Sequence, residues 1–109
     1  MVTSHGRRVM VVDGRRTPFC RSMTDFTELT TYDLGRMAVA GLLHATRVDP
    51  AAVDLLVMGT VLADPRTSNL GREVVLGTQL PRSVPAWTVT MACIQRPTSK
   101  QQADYYYQR

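Results

Sequence analysis

Leu55-Leu56-Val57-Met58-Gly59-Thr60-Val61-Leu62 decides the fold class of this chain. The run carries no charge, and both of its alternating residue sets are apolar. It therefore predicts a strand buried on both faces rather than one with a wet side. Asp64-Pro65 ends it. Upstream, Thr30-Thr31-Tyr32-Asp33 is a capping-box pattern, with Thr30 as N-cap and Asp33 placed to reach back to its amide. Leu34, Met37, Ala38, Gly41, Leu42 and Ala45 then recur at helical spacing, which predicts an amphipathic helix with that face turned inward. Asp49-Pro50 starts a further short turn, with proline at the first helical position, where its missing N–H costs nothing. Downstream, Ser68 or Asn69 can cap a second helix running through about Leu76. Pro81 and Pro85 bracket a loop, and Ala86-Trp87-Thr88-Val89-Thr90-Met91-Ala92 reads as another strand.

At the other end, Arg8-Val9-Met10-Val11-Val12-Asp13 reads as a buried strand closed by a turn at Asp13-Gly14. Arg16-Thr17-Pro18-Phe19 follows as an extended loop, because the residue before a proline is pushed out of the helical region. The order strand-helix-strand-helix-strand predicts an α/β fold with a mainly parallel sheet covered on both faces. After Ile94 the apolar period disappears. Residues 95–109 hold the chain's one lysine and three of its four tyrosines, and are expected to form a disordered tail beyond a domain spanning residues 7–94.

The net charge of +4 comes almost wholly from scattered arginines. Without a recognition motif or interleaved aromatics, that pattern describes a solvated surface and speaks against a nucleic-acid module. No apolar stretch approaches a membrane span, and the polar start from Met1 to Arg8 lacks the core of a signal peptide. The expectation is a reduced cytoplasmic protein. Cys20 and Cys93 have no metal-ligand spacing, so no metal site is expected. His5, in the N-terminal stretch, and His44, late in the first helix, read as surface residues.

Cys93 lies just past the C-terminal end of a predicted parallel strand, where open α/β sheets place their ligands. A helix starting there would favour its thiolate. The plain alternative is a small buried hydrophobe. Cys20 reads as a packing or bystander thiol, Trp87 as core or interface, and Arg16 and Arg72 as anchors of loops or of a subunit interface, ahead of a phosphate role.

Taken together, these segments resemble the N-terminal part of the thiolase family. Val11-Val12-Asp13-Gly14-x-Arg16-Thr17-Pro18-Phe19 is similar to its opening strand and loop. Asp33-Leu34, Met58-Gly59-Thr60-Val61 and Asn69-x-x-Arg72 follow in the family's order, and Val84-Pro85-Ala86-x-Thr88-Val89-x-Met91-Ala92-Cys93 is similar to the segment that delivers its nucleophile. The wording Thr-Met-Ala-Cys-Ile looks closest to fatty-acid β-oxidation thiolases of the trifunctional-enzyme β-subunit kind. The resemblance implies a partial thiolase-like domain in which Cys93 accepts an acyl group from a 3-ketoacyl-CoA and passes it to CoA. It implies coenzyme A as a substrate with no tightly bound cofactor, and a homo-oligomer. Departures are plain too. Gln95-Arg96-Pro97 stands where the family has small residues opening a helix, and the 109 residues contain no Gly-His-Pro motif and no second cysteine motif after Cys93. A truncated acyltransferase without turnover of its own is therefore expected. A non-catalytic partner of a full-length thiolase is the alternative, and a small basic nucleic-acid binder is a weaker one.

Overall fold

The computed structural model describes residues 2–4 and 7–90, with side chains from Val9 onward. In chain order the elements are β1 (Val2–Ser4), β2 (Arg7–Val9), α1 (Thr31–Thr46), a 3-10 turn (Pro50–Ala52), β3 (Leu56–Gly59), α2 (Leu70–Leu76) and β4 (Ala86–Val89). β3 and β4 pair in parallel from Leu56 opposite Ala86 to Gly59 opposite Val89, with α2 as their crossover. The expected α/β class with a parallel sheet is thus present.

Helix starts follow local chemistry. The Thr30 hydroxyl accepts from the Asp33 amide at 3.2 Å, and the Asp33 carboxylate accepts from the Thr30 amide at 2.9 Å, completing the capping box. Asp49 caps the 3-10 turn by accepting from the Ala51 amide, with Pro50 behind it. α1 ends at Arg47, which takes a left-handed conformation (φ 54°) and donates its N–H to Leu43.

The buried core is Leu70, Val74, Val75, Leu80 and Val84, all contributed by α2 and the loop after it. α2 lies against both strands and α1, so its Leu70, Val74 and Val75 are enclosed, while Leu76 at its end stays exposed. Val39 and Leu43 of α1 pack on this core with Val53, Leu56 and Ala86. Gly35 of α1 sits over Met58 and Val74, and a Cβ added there would lie 3.1 and 3.2 Å from their side chains.

Three sequence expectations need correction. First, the run from Arg8 to Asp13 is a strand only as far as Val9, and it pairs antiparallel with β1 outside the parallel sheet. Val2 faces Val9 in that register, so the partner strand ends there. Met10, Val11 and Val12 continue without a paired strand among the described residues and are 72%, 73% and 80% exposed. Second, β3 stops at Gly59, and Val61 and Leu62 are exposed. No residue of β3 or β4 is fully buried, so the sheet is not sealed on both faces. Third, α1 packs through Gly35, Val39 and Leu43 rather than through the Leu34–Met37–Gly41 face. The expected tail at residues 95–109 lies outside the described residues, as do His5 and Cys93.

Candidate functional site

The parallel strands end beside the start of α2, and the chain there is held by one connected set of hydrogen bonds. Asn69 is the N-cap: its Oδ1 accepts from the Arg72 amide at 3.2 Å and from the Thr88 hydroxyl at 2.9 Å. Its Nδ2 donates to the Ala86 carbonyl at 3.1 Å. The Thr88 oxygen in turn accepts from the Gly71 amide at 2.9 Å. A side-chain amide is needed at position 69, because the residue must accept at the helix and donate to the strand at once. That resolves the choice between Ser68 and Asn69 in favour of the longer side chain with both functions.

Gly71 allows this contact. A Cβ there would stand 2.7 Å from the Trp87 carbonyl oxygen, closer than two such atoms approach. Arg72 reinforces the same corner from outside, donating through Nη1 to the carbonyls of Arg82 at 2.7 Å and Val84 at 3.3 Å. Its Nη1 is thereby engaged as a loop anchor, in keeping with the first of the two anchoring roles expected of it. Trp87 is half-buried in β4.

Beyond this lock lies a small cleft of about 130 Å³, whose lining includes Thr60, Asp64, Ser68, Thr88 and Thr90. The Thr60 amide extends the strand pairing by donating to the Val89 carbonyl, while its hydroxyl donates to the Leu62 carbonyl. Asp64 accepts from the Arg66 guanidinium and amide, and these bonds hold its carboxyl below the ordinary aspartate range. The cleft is therefore lined by hydroxyls and one ionised carboxylate. Such groups can orient a polar ligand. The described lining supplies no thiol or imidazole, and no cluster of potential metal ligands occurs among the described residues.

Position 93 follows Thr90 by three residues and is outside the described residues, so the expected nucleophile adjoins this edge in sequence only. The structure does not bring Cys20 or His44 to the cleft. Cys20 is a half-buried free thiol; burial, with help from the neighbouring Asp25 carboxylate, pushes its ionisation up and keeps it protonated. His44 is exposed in the last turn of α1. Sequence reasoning did not foresee the hydroxyl lining, because Thr31, Thr60, Ser68 and Thr90 come from distant segments and share no motif. The available signal was their position: each lies at or just past a strand end or just before or at a helix start.

Comparison with known proteins adds independent findings. A family model described as the thiolase N-terminal domain matches residues 9–98. The chain is 50% identical to the human (Homo sapiens) mitochondrial trifunctional enzyme subunit beta over 88 residues, which is 81% of this chain and 19% of that protein. The mouse (Mus musculus) protein of the same name is 44% identical over 88 residues, 81% of this chain and 18% of its own length. Similarity extends to bacteria: a 3-ketoacyl-CoA thiolase of Serratia proteamaculans is 42% identical over 93 residues, 85% of this chain and 21% of the relative. The chain spans about a fifth of the length of the curated relatives it matches.

Proposed function

The chain belongs to the thiolase family, and from that premise we propose that it is the nucleophile-bearing part of an acetyl-CoA acyltransferase of the fatty-acid type. Cys93 is the residue proposed to carry the chemistry. Its thiolate attacks the 3-keto carbon of a 3-ketoacyl-CoA, and the bond between the second and third carbons breaks. The released electron pair takes a proton and leaves as acetyl-CoA, while the shortened acyl group stays on sulfur. The thiol of free CoA then takes that acyl group and regenerates the cysteine. A thiolate suits both halves, being a strong nucleophile near neutral pH and an acceptable leaving group.

The observation that supports the reading is the family match over residues 9–98, a range that includes Cys93, together with a parallel pair whose second strand is tied to the start of α2. The Asn69–Thr88–Gly71 contacts fix the strand that leads to the cysteine. Coenzyme A enters as a substrate, with no tightly bound cofactor, and the protein is proposed to be a cytoplasmic homo-oligomer; no described helix is long and apolar enough to cross a membrane. The 109-residue chain by itself is proposed to lack turnover, because it has no Gly-His-Pro base motif and no second cysteine motif after Cys93.

Intact-mass spectrometry after incubation with an acyl-CoA tests the assignment. One acyl adduct is expected on the parent and on Cys20→Ala, and none on Cys93→Ala. An adduct that persists in Cys93→Ala, or none on the parent, sinks the nucleophile assignment, and rapid thiolysis by the chain alone sinks the claim of no turnover. A second reading is a non-catalytic partner of a full-length thiolase. It is favoured by the two-stranded sheet, in which β3 and β4 each have one edge unpaired among the described residues. Co-elution with such an enzyme on size exclusion separates the two.

A further inference from the structure

The face of α1 turned away from the core is apolar as well. Leu34, Met37, Ala38 and Gly41 line a groove of about 320 Å³ together with Phe26, Leu29 and the Arg15–Pro18 loop. That volume is at the small end of the range for sites that enclose small molecules. Met37 and Leu29 remain exposed in it, and covering such surface is favourable by about 25 cal/mol for each Å² removed from water.

Two arginines line the same groove, and they differ. Arg15 is engaged: its Nη1 lies 3.2 Å from the Asp13 carboxylate and 3.0 Å from the Gly14 carbonyl. Arg16 is exposed and makes no hydrogen bond or ion pair among the described residues. No carboxylate is among the lining residues. The groove thus joins an apolar trough to an uncommitted guanidinium, a group well shaped to take a carboxylate through two parallel hydrogen bonds.

We propose that this groove binds a free alkyl carboxylate, with its chain along Leu34, Met37, Ala38 and Gly41 and its head group on Arg16. Charge complementarity selects this occupant: the exposed Arg16 can add an ion pair to a carboxylate head that a neutral alkyl chain cannot make, and a peptide segment would have to supply a carboxylate next to an uninterrupted apolar stretch. The proposal does not depend on the acyl-transfer reading, since it uses neither Cys93 nor the hydroxyl-lined cleft.

Calorimetric titration of the full 109-residue chain with decanoate and with 1-decanol tests it. Gly41 lines the groove and a Cβ there meets nothing within 4 Å, so Gly41→Leu places a side chain at the groove with no clash at its first atom, and in mid-helix it raises helix propensity; an unchanged urea midpoint checks that the fold is kept. The parent is expected to bind one decanoate saturably and more tightly than decanol. Arg16→Gln should weaken decanoate by about tenfold, the worth of a charge-assisted hydrogen bond, and leave decanol nearly unchanged. Gly41→Leu should remove both. Unchanged decanoate affinity in either variant, equal losses for the acid and the alcohol in Arg16→Gln, or no saturable binding by the parent overturns the proposal. So does a dimer that Gly41→Leu dissociates and decanoate does not, which would make a second copy the occupant.

Discussion

The same dipeptide occurs twice in this chain with opposite fates. Val74 and Val75 are 0% exposed, whereas Val11 and Val12 are 73% and 80% exposed. Intrinsic hydrophobicity cannot distinguish them. What differs is company. Val74-Val75 sits on α2, which has β3 and β4 on one side and α1 on another. Val11-Val12 follows a strand whose partner ends opposite Val9, and no described element continues beside it. Burial here is a property of neighbours, and a β-branched pair is core only where other elements converge on it.

The largest effects should come from breaking that contrast directly. Val75→Ala removes packed methyls from the centre of the core and is expected to cost about 2–3 kcal/mol, while Val12→Ala stays within about 0.5 kcal/mol. Urea denaturation midpoints of the two variants measure this. Similar losses would mean that residues 10–12 are packed in solution, and the comparison would fail.

The next effect tests why α2 is so well enclosed. Gly71→Ala forces a methyl against the Trp87 carbonyl, and either helix or strand must retreat. A loss of about 1–3 kcal/mol is expected, in line with overpacking at a tight contact. Preserved stability would show that the helix start and β4 can part without consequence.

A smaller effect concerns α1, which has no fully buried residue and leans on its cap. Thr30→Ala should cost about 1 kcal/mol near neutral pH. The Thr30 amide and hydroxyl hold the Asp33 carboxyl below its ordinary range. Because the folded value is the lower one, this contribution is complete above the unfolded value. It is lost as pH falls through the folded value, when the carboxylate takes up a proton. The stability gap between parent and Thr30→Ala should therefore narrow in acid. A gap that stays constant with pH would detach the Asp33 ionisation from the cap.

Legibility in the sequence followed the range of the interactions. The α1 capping box, the proline-led turn after Asp49 and the α2 end at Leu76 were readable because each depends on residues within a few positions of one another. The inward face of α1 was not. Leu34, Met37 and Ala38 compete with Val39 and Leu43, so the helix is apolar on more than one side and periodicity cannot rank the faces. Gly35 decided it by letting the helix close on Met58 and Val74. At the site, Asn69 was readable as one of two cap candidates, and the resemblance to the family singled out Asn69 with Arg72. Their partners Thr88, Ala86 and Arg82 lie 10–19 residues away and could be named only from the fold.

By itself the sequence determined the α/β class, the α1 cap and the family, since these reside in short motifs and their order. The tertiary structure alone decided which valines became core, which face of α1 was used, and that the first apolar run stays exposed. Each of those outcomes depends on surfaces brought together from distant segments, and a residue's own chemistry does not say whether a neighbour will arrive.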